Sequence, residues 1–169
     1  CTALLSSWSF LGIVAAVSMA AAVWRDRRTG VIFAAVAIAA FCLNGVIDKL
    51  LIKDDIEPAL SIERTRPYIA YPDTIRPIGN HATDSSLPSN HTAGVASVAG
   101  SAMLVYRRRW VTAMAAAAII VMAIVRVHNG MHYLSDTVVG AVLGLLYAYI
   151  SWRCTAYGMR RFSSRFREE

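Results

Sequence analysis

Five long apolar segments, roughly 6–24, 31–52, 91–106, 110–126 and 135–152, are separated by short polar stretches and by one long one, 53–90. Most are close to the ~20 residues that a helix needs to cross a bilayer, with the third and fourth at the short end. In hydrocarbon every backbone N–H and C=O must be satisfied within its own segment, so runs of this length predict α-helices. Barrel strands would be shorter and would alternate. The segments are rich in Ala, Gly and Ser, which lets helices approach closely. The pattern predicts an all-α, polytopic transmembrane helix bundle forming a single membrane-embedded domain over 1–169.

Composition agrees with the pattern. At 56% hydrophobic, the chain is too apolar for an ordinary soluble domain. Its charges sort by position. Arg25, Arg27 and Arg28 follow the first segment, and Arg107, Arg108 and Arg109 follow the third. Arg153, Arg160, Arg161, Arg165 and Arg167 follow the fifth. These three exits hold eleven of the seventeen Lys and Arg residues, and the positive-inside rule puts them in the cytoplasm. The 53–90 segment and the 126–135 turn then face the outside of a multi-pass plasma-membrane protein. The net charge of +6 is thereby explained as topology and anion binding; no nucleic-acid motif or basic-aromatic surface accompanies it. Cys1, Cys42 and Cys154 show neither a disulfide framework nor zinc spacing. A Cys at position 1 in place of Met predicts that further residues precede it, a lipid-modified N-terminus being the alternative reading.

The polar outer stretches carry the candidate chemistry. Segment 53–90 contains all five prolines and is too long for a tight connector, a form that loops take when they are functional. In ERTRPYIAYP (63–72), Pro67 holds Arg66 on stiff, extended chain; the bland reading is an arginine meeting lipid headgroups. In DSSLPSNHTAG (84–94), Ser85 and Ser86 are candidate caps and Pro88 suits a first helical turn. Ser89, Asn90 and His91 would then lie in the first turn of the third span, where free N–H groups and the helix dipole favour an anion. In VRVHNGMHYLSD (125–136), Asn129 and Gly130 offer a break that can bring Arg126 to His132. His132 and Asp136 are four apart and would share a helix face, letting the carboxylate fix the imidazole tautomer.

A metal site is the rival for the last stretch, since His128, His132 and Asp136 have HxxxHxxxD spacing. Gly130 interrupts that stripe, however, and a metal gives Arg66 and Arg126 no role. Two arginines, a helix N-terminus, a hydroxyl and two histidines on one membrane face are the inventory for phosphoryl transfer by electrostatic clamping and covalent histidine catalysis, with no metal and no other cofactor.

Arg66-Pro67, Pro88-Ser89-Asn90-His91 and Arg126-x5-His132-x3-Asp136 resemble the three signature motifs of the type 2 phosphatidic acid phosphatase superfamily. That superfamily also contains vanadium haloperoxidases and bacterial undecaprenyl-diphosphate phosphatases. DSSLPSNH is most similar to the bacitracin-resistance type of undecaprenyl-diphosphate phosphatase. The resemblance implies that His132 is a nucleophile forming a phosphohistidine and that Asp136 orients it. It implies that His91 protonates the leaving group and then activates water, while Arg66, Arg126, Ser89 and the Asn90 backbone N–H hold phosphoryl oxygens. The implied substrate is an undecaprenyl- or decaprenyl-type diphosphate in the outer leaflet, the implied role recycling of the carrier lipid for bacterial cell-wall synthesis, with 53–90 as the active-site loop.

Two positions depart from the superfamily pattern. Ala59 stands where a lysine is usual, with Lys53 or Arg64 as possible auxiliary charges. Asn90 stands where glycine is usual, so its side chain must point clear of the phosphate. Six spans are common in the superfamily, which implies one more helix before Cys1. Other lipid phosphates (phosphatidate, phosphatidylglycerophosphate, a polyprenyl-phosphosugar phosphate) are alternative substrates. A metal-dependent hydrolase and a non-catalytic lipid-binding protein are the alternative classes, and the motifs leave oligomeric state open.

Overall fold

A computed structural model describes residues 7–48, 64–78 and 82–165, the side chains of Phe10 and of residues 162–165 excepted. Its elements are α1 (Trp8–Arg25), α2 (Arg27–Ile47), α3 (Pro67–Ala70), α4 (Asn90–Tyr106), α5 (Arg109–His128) and α6 (Leu134–Arg165). The five long helices lie at the five apolar segments. Three of them, α2, α5 and α6, are long and apolar enough to cross a membrane on those criteria alone, and α1 has a shorter apolar stretch, Leu11–Arg25.

The bundle is inside-out by soluble standards. Large apolar side chains such as Val17, Met114, Ile124 and Val142 point outward, as lipid-facing residues do. Small and polar residues fill the interior: Thr92, Ser97 and Ser101 on α4 are fully buried. α4 is the central helix, packed against α2, α5 and α6. Its buried hydroxyls stay satisfied within the helix; Ser97 donates to the Gly94 carbonyl and Ser101 to the Ser97 carbonyl. Small residues let α4 and α6 touch almost backbone to backbone. A Cβ on Gly140 would sit 2.5 Å from the Ser89 carbonyl oxygen, and one on Gly144 would sit 2.7 Å from the Ala96 Cβ and 2.9 Å from the Ser97 nitrogen. Gly144→Val is therefore expected to cost about 1–3 kcal/mol through overpacking and to lower the Tm in detergent. An unchanged Tm would contradict the close α4–α6 contact.

Polar turns tie the helices at their ends. Asp26 caps α2, its carboxylate accepting from the backbone N–H groups of Arg28 and Thr29. Hydrogen bonds from Thr29 hold that carboxyl below its ordinary value. Trp24 and Trp110 are exposed beside the arginine-rich turns, the position of an interfacial aromatic belt.

Two boundaries differ from the sequence-based expectation, and a third falls outside the described residues. The last helix continues to Arg165 instead of stopping at 152, because apolarity ends where lipid ends whereas residues 153–165 still form helix without a proline. The second segment was expected to reach 52, and its part beyond Asp48 lies outside the described residues. The N-cap of α4 is Ser89 itself, not Ser85 or Ser86, and it makes no side-chain capping bond. Pro88 precedes the helix, following a cis peptide bond from Leu87, so it does not occupy the first turn.

Candidate active site

The site is built around the turn between α5 and α6. α5 ends at His128, Asn129 is its C-cap, and Gly130 takes φ +69°, the left-handed region that favours glycine. α3 and the segment after it brace this turn: the Tyr68 and Ile78 backbone N–H groups donate to the carbonyls of Gly130 and Asn129, respectively. A Cβ on Gly130 would lie 2.6 Å from Ile75 Cγ2. Gly130 is thus required twice, by its dihedral and by the close approach of Ile75.

Just beyond the turn His132 is buried, and its two nitrogens face opposite chemistries. Nδ1 is 2.6 Å from the carbonyl oxygen of Ser86, which can only accept. Nε2 is 3.4 Å from Arg66 Nη1 and 3.3 Å from Arg126 Nη2, which can only donate. Both sides therefore demand the same tautomer, with the proton on Nδ1 and the lone pair on Nε2. A nucleophilic nitrogen, flanked by two cations, is the result.

Arg66 and Arg126 are held differently. Arg66 is buried and fully tied: Nε donates to the Asp84 carbonyl at 2.9 Å, Nη2 to Asp84 Oδ1 at 2.6 Å and Nη1 to the Met131 carbonyl at 3.1 Å. Arg126 is also buried, yet its Nε has no hydrogen-bond partner among the described residues, and no carboxylate among them lies within ion-pair distance of it. Two guanidinium groups converging on one atom repel each other by Coulomb's law, more strongly in a buried site than in water. An anion bound between them would remove that repulsion.

Asp136 is fully buried in the first turn of α6. One oxygen, Oδ2, accepts from the Tyr133 backbone N–H at 2.9 Å, the reciprocal arm of a capping box. The other, Oδ1, pairs with Arg64 Nη1 at 2.6 Å. Oδ2 also lies 4.0 Å from His132 Nδ1, longer than a hydrogen bond. His132 precedes α6 and does not share a helix face with Asp136, and its Nδ1–H, expected to donate to that carboxylate, donates to the Ser86 carbonyl instead.

The N-terminus of α4 is docked onto the same turn. The Ser89 backbone N–H donates to the Asp136 carbonyl at 3.0 Å, and buried Ser89 Oγ accepts from Thr92 Oγ1 at 3.0 Å. Asn90 turns its side chain to α2, accepting from Asn44 Nδ2 at 2.6 Å and donating to Asp48 Oδ2 at 2.5 Å. His91 follows on the first turn, with its ring stacked on Trp8 of α1 at a centroid distance of 4.1 Å. Trp8→Ala is expected to lower kcat about 5–10-fold, since it removes roughly 1 kcal/mol of ring contact that fixes His91. An unaltered kcat would leave the stacking without a role.

Of the residues singled out from sequence, the structure brings Arg66, Arg126, His132 and Asp136 into one cluster and docks Ser89, Asn90 and His91 beside it through the Ser89–Asp136 bond. Arg64 is present but reaches Asp136, while Lys53 and Ala59 lie outside the described residues. His128 is exposed at the end of α5, and among the described residues no three His, Cys, Asp or Glu side chains group as metal ligands. Sequence reasoning missed the Ser86 carbonyl, Asp84 and Trp8. Asp84 had a signal, an acid eighteen residues after Arg66 in the same loop; a backbone carbonyl has none.

The sequence profile of the PAP2 superfamily matches residues 28–160. No curated protein matches the chain. The fold is similar to the crystal structure of the first transmembrane PAP2-type phosphatidylglycerolphosphate phosphatase from Bacillus subtilis, with a TM-score of 0.61 and 24% identity over 89% of this chain and 71% of that one. The profile covers Arg66, His91, Arg126 and His132 and most of α2 to α6, and so the chain belongs to the PAP2 superfamily.

Proposed function

We propose that this membrane phosphatase hydrolyses the terminal phosphate of a polyprenyl diphosphate through a phosphohistidine on His132 Nε2. The observation that carries the reading is the convergence of two buried guanidinium groups on a nitrogen whose proton is committed to its other side. Arg66 and Arg126 take the equatorial phosphoryl oxygens, helped by Ser89 and the Asn90 N–H at the start of α4. Nε2 forms a bond to phosphorus as the bond to the lipid-phosphate oxygen breaks, and His91 gives that oxygen its proton. Water then attacks the phosphohistidine, His91 takes a proton back, and the N–P bond breaks to release inorganic phosphate. The Ser86 carbonyl holds the Nδ1–H throughout, while Asp136 steadies the segment that carries the ring by accepting from the Tyr133 N–H. This division of labour requires a bell-shaped pH dependence; a flat profile from about pH 5 to 9 would contradict it.

A long lipid tail also has a place. A cleft of about 1580 Å³ runs along α1, α2, α4 and α5, lined by Trp8 and Asn90 near the site and by apolar residues such as Phe41, Val98 and Met122 farther along. That exceeds the roughly 300–1,000 Å³ of a small-molecule pocket and suits an extended chain. The arginine-rich turns lie at the other end of the helices from the site, which favours an outer-leaflet reaction. Polyprenyl diphosphate is preferred because DSSLPSNH resembles that type of phosphatase. Phosphatidylglycerophosphate is the second reading, favoured by the shared fold with the Bacillus subtilis enzyme.

Phosphate release from purified protein, measured on a panel of both lipids and phosphatidate, tests the choice. Vanadate is expected to inhibit as a mimic of the transferring phosphoryl group, and EDTA to leave the rate unchanged. A higher kcat/KM on phosphatidylglycerophosphate would move the assignment to the second reading, and EDTA inactivation would favour a metal-dependent hydrolase.

A further inference from the structure

We infer that Arg64 is a positioning residue of the reaction, fixing both groups that stand behind the His132 ring; this rests on His132 being the nucleophile. Its backbone and its side chain act on different partners. The Arg64 carbonyl accepts from the Ser86 backbone N–H at 2.9 Å, and the Arg64 N–H donates to Ser85 Oγ at 3.2 Å. The carbonyl that receives His132 Nδ1–H therefore belongs to a residue pinned to Arg64. On the other side, the guanidinium reaches over the Tyr133 ring, 4.1 Å from its centroid. There Nη1 meets Ser135 Oγ at 2.7 Å and Asp136 Oδ1 at 2.6 Å.

Chemistry gives this arrangement a consequence. Asp136 is fully buried, and apart from the imidazole 4.0 Å away, Arg64 is its sole cationic partner among the described residues. A buried carboxylate needs such a partner. With Arg64 in place, most of the carboxylate's field is spent on the guanidinium, so it does not draw a proton onto the ring and His132 stays neutral and nucleophilic. Without Arg64, Asp136 would act unopposed on the imidazole from 4.0 Å and stabilise the charged, unreactive form. The other charged groups near the ring are Arg66 with Asp84 from the loop and Arg126 from α5. None of these pairs with Asp136. Arg64 therefore does not supply a third phosphate-binding charge in place of the usual lysine; it sets the state of the nucleophile from behind.

Arg64→Gln is expected to lower kcat about 10–30-fold with KM changed less than about 2-fold, because the lost interaction is not with substrate. The acidic limb of kcat/KM should move up by about 0.5–1 pH unit. Arg64→Lys should restore the limb, since it returns the charge, while kcat recovers only in part because an ammonium does not reproduce the planar guanidinium lying over the Tyr133 ring. In an Asp136→Asn background, Arg64→Gln should produce no further shift of the limb. A raised KM with an unmoved limb would overturn the inference and make Arg64 a substrate ligand. A lowered kcat with an unmoved limb and a lowered Tm would overturn it in favour of a merely structural role. His132→Ala assayed alongside separates this outcome from failure of the underlying reading, which would show as retained activity in that variant.

Discussion

His132→Asn is expected to lower kcat/KM by about 10⁴-fold or more, the scale on which a covalent nucleophile is lost. The asparagine amide retains a donor for the Ser86 carbonyl, so this loss is chemical and not a consequence of leaving that buried acceptor unpaired. Circular dichroism and Tm in detergent should match the parent protein. Phosphate release within tenfold of the parent rate would eliminate His132 as nucleophile. The size of the effect follows from the proposed attack by Nε2, at whose position both guanidinium groups are aimed.

Arg126→Met is the second large effect, and it separates activity from stability. Arg126 makes one side-chain hydrogen bond among the described residues, to His132, and its Nε makes none. Removing one preorganised charge that stabilises a transition state costs about 10²–10³-fold in kcat. Removing one of two mutually repelling buried cations should leave the fold as stable or more so, because an apolar side chain of similar length avoids the desolvation penalty. The expected pair of results is a kcat lower by that factor and a Tm equal to or above the parent's. A lowered Tm would mean that Arg126 is held by more than His132. Arg66→Met should differ, losing stability as well, since Arg66 anchors Asp84 and the Met131 carbonyl.

Much of this architecture could be read from the chain, for identifiable physical reasons. Apolar runs of bilayer length must be helical in lipid, so all five long helices were legible, and the break before α6 was visible in Asn129-Gly130 because few residues adopt φ +69°. Clustered arginines lead to an expectation of orientation, with their turns on the cytoplasmic side. Spacing also gathered Arg66, Arg126 and His132, which meet in space. What spacing cannot give is aim. His132 and Asp136 look like an i,i+4 helical pair, yet the helix starts at Leu134, so the imidazole falls back onto a carbonyl of another loop. Arg64 is visible as a charge, but its target, a buried carboxylate 72 positions away, depends on how the loop folds over Tyr133. Nothing in the chain marks Trp8 for the site; only the packing of α1 brings it onto His91.

The central claim is covalent: His132 Nε2 accepts the phosphoryl group. Its most direct test is to mix the purified protein with lipid diphosphate radiolabelled in the terminal phosphate, quench under alkaline conditions on the millisecond scale, and map the label. The expected result is an acid-labile, base-stable phosphohistidine on the peptide containing His132, with the phosphoryl on Nε2 and the label absent from His132→Asn. Steady turnover with no protein-bound label at any quench time, or a label on His91 instead, would contradict it.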